Sequence, residues 1–505
     1  MRKEIIRTPI IFRVIILLGL LSGCVPILSN QTDTTINRDK HFALTSKLYA
    51  RMFDGSNPNV ALLNLFFSKM PKGGDLHHHY TGTVYAETYL DWVKQKDWRI
   101  DKHSFKIVTR QDSHDDTEEL LTVRQLLADE ALYRKLLTLW SNKDYRNHSH
   151  PQPPPDMNFF KTFSYFNPIS HEYMERGLQI LKQRAIQENV VYIETMLSRV
   201  GVKGKDYFAK DHAMRLITLL RNAKSQQETN IVLEQITAIL LGNTRFMSAV
   251  NAFVRLVEKN HRGIDDQNFM MRYQSYAVRV CDPLQVFTDL LAAYLAVKQS
   301  PLIVGVNIVA PENHPVALTD YTSHMRMYHY LLEKYPAVNR ALHAGELTLG
   351  MVRPKHLTFH IQQAHDIAQA QRIGHGVDLP YEQNAVELLK DLKENAVIEI
   401  NLTSNEFILG VKNNEHPYLI YSSYGVPLVI ATDDSGVSRN NLTNEYVLLA
   451  TRYQPTYGRV KEYVYNSIRY SFLPQADKEF LTRLLDSKFM LFEREMTDLY
   501  KSLRP

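Results

Sequence analysis

The feature that most constrains this chain is an alternation. Short apolar runs at 74–79, 190–197, 230–240, 302–310, 339–345, 372–376, 396–401 and 427–433 are separated by longer stretches of helical period, among them 286–297, 325–334, 357–371 and 384–394. Strand-length runs alternating with helical ones make βα units, and such units pair their strands in parallel. Eight of them suggest an α/β fold closed into a (β/α)8 TIM barrel. An open doubly wound sheet is the alternative that pattern alone leaves. A length of 505 residues would by itself accommodate several ordinary domains. The alternation instead spreads over most of the chain, which favours one barrel with additions. Hydrophobic residues at 44% and charged residues at 22% exclude disorder, collagen-like repeats and a multi-span membrane protein. A net charge of +5 is mild for this length and gives no reason to expect a nucleic-acid partner.

The N-terminus reads as a targeting segment. Arg2, Lys3, Arg7 and Arg13 precede the apolar run 14–21. That run is far shorter than the ~20 residues a spanning helix needs, so it suits a signal peptide. Leu21-Ser22-Gly23-Cys24 looks like the lipobox of bacterial lipoproteins, with Cys24 as the lipid-carrying first residue of the mature protein. A plain secretory signal with an incidental Cys is the alternative. The lipobox reading places the folded part on the cell envelope, touching membrane only through the lipid on Cys24. It also leaves Cys281 as the remaining thiol, so no internal disulfide can form. After the leader (1–24), residues 25 to about 38 read as a flexible tether and 40–69 as a helical extension. The barrel then occupies 70–505. A polar segment at about 93–157 breaks the alternation and reads as an insertion in the first βα connection. It carries Asp112, Asp115, Asp116, Glu118 and Glu119, and ends with the exposed loop histidines His148 and His150.

The chemistry gathers at strand ends. With two Cys, a multi-cysteine zinc cluster is excluded, and any metal site must come from the carboxylates and the 20 His. In Leu76-His77-His78-His79, alternation on a strand points His77 and His79 the same way and His78 the other. Leu342-His343-Ala344-Gly345-Glu346, Arg372-Ile373-Gly374-His375-Gly376 and Ala431-Thr432-Asp433-Asp434 end the fifth, sixth and eighth runs. In a barrel such ends converge on one face, where active sites form. His77, His79, His343 and Asp433 would hold one zinc ion with a position left for water. Bound zinc lowers the pKa of water from 15.7 to about 7. Glu346 is placed to exchange a proton with substrate, and His375 to accept a proton from that water or orient it. Asp434 could accept a hydrogen bond from substrate or from groups behind the ligands.

These four motifs, in this order, resemble the adenosine deaminase family. Met70-Pro71-Lys72, Val191-Tyr192-Ile193-Glu194 and Ser404-Asn405 add to the likeness, which covers about 70–450. The insertion and the opening at Met70 look closest to the secreted adenosine-deaminase-related growth factor branch, which also carries a helical extension and invites a homodimer by analogy. The resemblance implies zinc on His77, His79, His343 and Asp433, proton donation by Glu346 to purine N1, help from His375 to the attacking water, and Asp434 at N7. It implies hydrolytic deamination of adenosine or 2'-deoxyadenosine to inosine and ammonia, a step in purine nucleoside metabolism.

Three stretches depart from the family pattern. Tyr80, Thr81 and Gly82 stand where Leu-Asp-Gly is usual, so Thr81 replaces an Asp that helps hold ribose. Val309-Ala310-Pro311-Glu312 stands where a Gly-rich motif is usual, with Ala310 in place of the glycine beside the purine. Met196-Leu197-Ser198-Arg199 replaces the usual Arg-x-Ser-Pro. Thr81, Ala310 and Asp434 are therefore the expected substrate contacts, and another adenine-containing substrate stays open. So does a non-catalytic nucleoside-binding envelope protein. Phe159, Phe160 and Phe163 have helical spacing and read as core or as a lid over the purine. His356, His360 and His365 share a candidate helix without a completing carboxylate. A cytidine-deaminase zinc site needs Pro-Cys-x-x-Cys, which is absent. A two-metal site bridged by a modified Lys would want a Lys in 302–310, which has none.

Overall fold

Strands buried on both faces are short and nearly all apolar, and helices must cover them outside. The computed structural model, which describes residues 35–110, 119–147 and 152–503, has that construction. Eight parallel strands follow one another around a barrel: β1 (Gly73–His79), β2 (Val190–Ser198), β3 (Met270–Val278), β4 (Ile303–Val309), β5 (Asn339–Ala344), β6 (Arg372–His375), β7 (Val397–Ile400) and β8 (Leu428–Ile430). Each pairs in parallel with the next. Between β8 and β1 the closure is one bridge, His78 to Asp433, with Asp433 N donating to His77 O at 2.8 Å and His79 N to Asp433 O at 3.2 Å.

The run 230–240 is not the third strand. It lies within the helix Gln226–Leu241, which Ser225 caps by accepting from Glu228 N. Its buried Thr229, Val232, Leu233, Ile236, Thr237 and Leu240 recur at helical spacing. The true third strand, Met270–Val278, carries Arg272, Gln274 and Ser275 and so lacks the apolar signature. The stretch 357–371 is helical only over His360–Asp366, after a 3-10 turn at Pro354–His356.

The extension is two helices, α1 (Thr35–Arg51) and α2 (Val60–Lys69). α1 begins inside the stretch expected as tether; the leader, with Cys24, lies outside the described residues. Leu48 and Tyr49 of α1 and Met52 just after it are buried, and His41 Nδ1 meets Thr497 Oγ1 at 2.9 Å on the C-terminal helix Gln475–Ser502. The insertion holds a three-stranded antiparallel sheet of Ile107–Val108, Arg99–Asp101 and Leu120–Leu121. It ends in α3 (Pro155–Phe166), started by Pro155 at a first-turn position where no backbone donor is lost. Asp112, Asp115, Asp116, Glu118, His148 and His150 lie outside the described residues. Among the described residues, no helix is long and apolar enough to cross a membrane.

Candidate active site

β1 turns His77 and His79 into the barrel mouth and His78 outward, where its Nδ1 meets Thr195 Oγ1 at 2.9 Å. His343 ends β5 and Asp433 follows β8. One ligand-type atom from each of His77, His79, His343 and Asp433 lies within 4.8 Å of the others. His79 Nε2 and His343 Nε2 stand 3.1 Å apart, and Asp433 Oδ1 is 3.5 Å from His77 Nε2 and 3.3 Å from His79 Nε2.

The residues fit a metal ion. His77 Nε2 is buried with no hydrogen-bond partner. Burial holds His79 down at about 4 and His343 well below the usual imidazole range, so both rings are neutral. Two neutral nitrogens facing each other need a proton or a cation between them. Burial also opposes charge on His77, but the Asp433 and Glu399 carboxylates outweigh it and raise that ring to about 10. The site thus favours positive charge, and three imidazoles with one carboxylate are a donor set for zinc.

Behind the ligands runs a chain of buried hydrogen bonds. His77 Nδ1 donates to Glu399 Oε2 at 2.7 Å, and Arg372 Nε donates to Glu399 Oε1 at 2.7 Å. Arg372 Nη2 donates to Glu194 Oε1 at 2.5 Å, as does Gln274 Nε2 at 2.8 Å. Asn307 Nδ2 donates to Gln274 Oε1 at 2.9 Å, and His343 Nδ1 donates to Asn307 Oδ1 at 2.9 Å. Each link comes from a different strand, from β1 through β7, β6, β2, β3 and β4 to β5. Both terminal bonds fix the proton on Nδ1 and leave Nε2 as the ligand atom.

Glu346 is buried beside His375, with His375 Nε2 3.7 Å from Glu346 Oε1 and 4.0 Å from Asp433 Oδ2. Asn405 Nδ2 lies 2.9 Å from His375 Nδ1 and donates to it, which puts the ring proton on Nε2, facing the two carboxylates. Burial, then the carboxylates of Asp433 and Glu312, push the Glu346 carboxyl well up. Glu312 accepts from Gly345 N at 3.2 Å and Glu346 N at 2.9 Å, and so fixes the peptide that carries Glu346. Burial next to Asp433 likewise raises Asp434, whose Oδ1 has no partner. A Cβ on Gly82 would lie 1.5 Å from that oxygen, so only glycine fits there. His375 (φ 72°), Asp433 (φ 61°) and Ala310 (φ 85°) hold left-handed backbone, strain concentrated at the strand ends.

The expected residues come together: Thr81, Ala310, His79, His343, Glu346, His375, Asp433 and Asp434 line one cavity of about 390 Å³, with His77 directly behind. Phe159, Phe160 and Phe163 line it too, and Phe159 is also buried core. His360 stands apart, its Nδ1 2.6 Å from Glu312 Oε1. Among the described residues, the groups of three or more metal-ligand side chains both lie in this site. Sequence reasoning missed Glu399, Arg372, Gln274, Asn307 and Glu312. For all of these but Glu312, which follows β4, the detectable signal was charged or amide side chains inside short strands, which a barrel interior tolerates only when they are paired.

Residues 243–488 match the family model described as adenosine deaminase. Over that stretch, just under half of its 505 residues, the chain is similar to the adenosine deaminase family. It is 32% identical over 150 residues to an adenosine deaminase of Enterococcus faecalis, covering 30% of this chain and 41% of that protein. It is 36% identical over 119 residues to an N6-methyl-AMP deaminase of Danio rerio, covering 22% of this chain and 33% of that protein. The chain thus spans less than half the length of these curated relatives. Its fold is like that of the Arabidopsis N6-mAMP deaminase crystal structure, with a TM-score of 0.54 at 17% identity, covering 84% of this chain and 99% of that one. The matched adenosine deaminase region begins at 243, so His77 and His79 lie outside it, and the fold brings them to His343 and Asp433 within it.

Proposed function

We propose that this protein is a zinc-dependent aminohydrolase that converts adenosine or 2'-deoxyadenosine to inosine or its 2'-deoxy form and ammonia. The observation that carries the reading is the convergence of Glu346, His375, Asp433 and Asp434 on one cavity, directly over three neutral-capable imidazoles. In the reaction, water adds at C6, the C6–N bond breaks, and ammonia leaves. One zinc per chain, held by His77, His79, His343 and Asp433, would supply an activated water at neutral pH. Glu346 holds the proton that N1 takes up as C6 becomes tetrahedral. His375, with its proton fixed on Nε2 by Asn405, orients the attacking water. Asp434, kept protonated by its burial beside Asp433, donates to N7 and sets the ring plane. The lipobox-like Leu21-Ser22-Gly23-Cys24 supports placing this activity on the cell envelope.

The test is ultraviolet absorbance of adenosine mixed with the purified protein, alongside its metal content. Conversion to inosine with about one zinc per chain is expected. Adenosine bound but unchanged would replace the enzyme reading with the non-catalytic one.

A further inference from the structure

The three phenylalanines of α3 are left unexplained by the chemistry at C6. They belong to no barrel strand. α3 lies across the barrel mouth, pinned where Asn313, after β4, donates to Asp156 in its first turn at 2.8 Å. The ring of Tyr145, just before α3, packs on Phe407 of α4 (Leu402–Leu409) at 5.1 Å. The cavity therefore has a polar floor and an aromatic roof. In a purine, C6 and N9 sit on opposite sides of the ring system. With the N1, C6 and N7 edge on the floor, the sugar on N9 must face the roof.

Away from the polar floor the lining is nearly all apolar, with Phe159, Phe160, Phe163, Val309 and Pro311, and hydroxyls from Thr81 and Tyr276. No Lys or Arg is among the described lining residues, while Glu346, Asp433 and Asp434 are. Arg279, behind the wall, is buried, and its Nε and Nη1 have no hydrogen-bond partner. It donates to His343 O at 2.8 Å and Ile308 O at 3.1 Å and lies 3.4 Å from Glu312. On α4, outside the cavity lining, Glu406 gathers Arg146, Lys412 and Arg452. A phosphate dianion at the sugar end would lose its water and find no cation, a costly burial.

Resting on the deaminase reading above, we propose that the roof selects a 6-aminopurine nucleoside without phosphate, and that an apolar group on the 5' carbon is accepted at least as well as the 5'-hydroxyl. A 5'-alkylthio or 5'-deoxy nucleoside gains contact with the phenylalanines and loses only a hydroxyl that has few partners there. A nucleoside monophosphate, the substrate class named for the Danio rerio relative, is rejected.

The experiment compares adenosine, 5'-methylthioadenosine and AMP with the zinc-loaded full chain, by equilibrium binding and by turnover. AMP is expected to bind and turn over roughly 100-fold or more worse than adenosine, and 5'-methylthioadenosine to match or exceed it. Phe160 and Phe163 are partly exposed, so Phe160→Arg and Phe163→Arg, with unchanged melting temperature, should narrow the AMP gap about tenfold. AMP equal to adenosine, 5'-methylthioadenosine more than about tenfold weaker, or no binding of any of the three, overturns the proposal. The predicted binding order without turnover would sustain it while removing the deaminase reading.

Discussion

In the proposed reaction Glu346 would carry a proton to a weakly basic ring nitrogen, and an ordinary exposed Glu would have lost that proton by neutral pH. Its burial beside Asp433 and Glu312 keeps the proton on. Glu346→Gln keeps the shape and removes the acid. Turnover should fall by about 10²–10⁴ with zinc content unchanged; undiminished turnover would refute the role. A second carboxyl tests burial away from the site. Asp289 is buried in the helix Pro283–Gln299, with Gln285 Nε2 donating to one oxygen at 2.9 Å and Arg199 only 3.5 Å from the other. Burial outweighs Arg199 and raises Asp289 to about 7, above its model-peptide 3.8. A raised carboxyl contributes stability that is full below pH 3.8 and lost as pH rises through 7. A shift of that size is worth roughly 4 kcal/mol. Asp289→Asn should therefore gain melting temperature relative to the parent between about pH 4 and pH 7, and a constant difference across that range would contradict the assignment.

The chain of bonds from His77 to His343 joins seven strands and is an element-scale device, because each strand supplies one link at a fixed height in the barrel. Glu399→Gln keeps an acceptor for His77 Nδ1 but leaves Arg372 short of a charge. Zinc affinity, read by competition with a chromophoric chelator, should drop roughly 10–100-fold while the fold holds. Unchanged affinity would show that the chain only packs the barrel. This chain also explains what the sequence left unreadable. Seven strands were legible as short apolar runs, and the ligand motifs because four of those runs end with a His or Asp, where the local spacing set their direction. β3 was hidden because Arg272, Gln274 and Ser275 interrupt it with polar side chains, Gln274 pairing with Glu194 and Asn307 in the interior, so its pattern is mixed. Residues 230–240 stood in for it because Ile231, Val232 and Ile236 suit a strand as well as a helix, and only the Ser225 cap and the burial rhythm decide. Glu399 and Asn307 gain meaning only once non-adjacent strands meet, a contact no local pattern encodes.

At the scale of the whole molecule, the barrel has a weak seam, and the candidate metal site straddles it. β1 to β8 pair along ladders, but β8 meets β1 through one bridge, helped by Asp75, which accepts from Thr432 N at 3.1 Å and Thr432 Oγ1 at 2.6 Å. The helix Tyr457–Arg469 backs the seam, with Gly74 N donating to Ser467 Oγ at 2.6 Å and Asn466 Nδ2 to Leu428 O at 3.1 Å. His77 and His79 lie on one side and Asp433 on the other, so a bound ion would tie the two edges together. Chelation should then act as loss of a structural clamp as well as of activity. A ligand at 1,000 times its Kd adds roughly 4 kcal/mol, and for a domain of this size that is a drop of about 4 °C in Tm. The loss should be local first. Amide exchange should speed up in 73–79 and 428–433 before β3 to β5, since only the seam relies on the ion for closure. Returning zinc should restore both Tm and protection. A chelated protein that melts at the same temperature with an unchanged exchange pattern would mean that Asp75 and the covering helix close the barrel unaided.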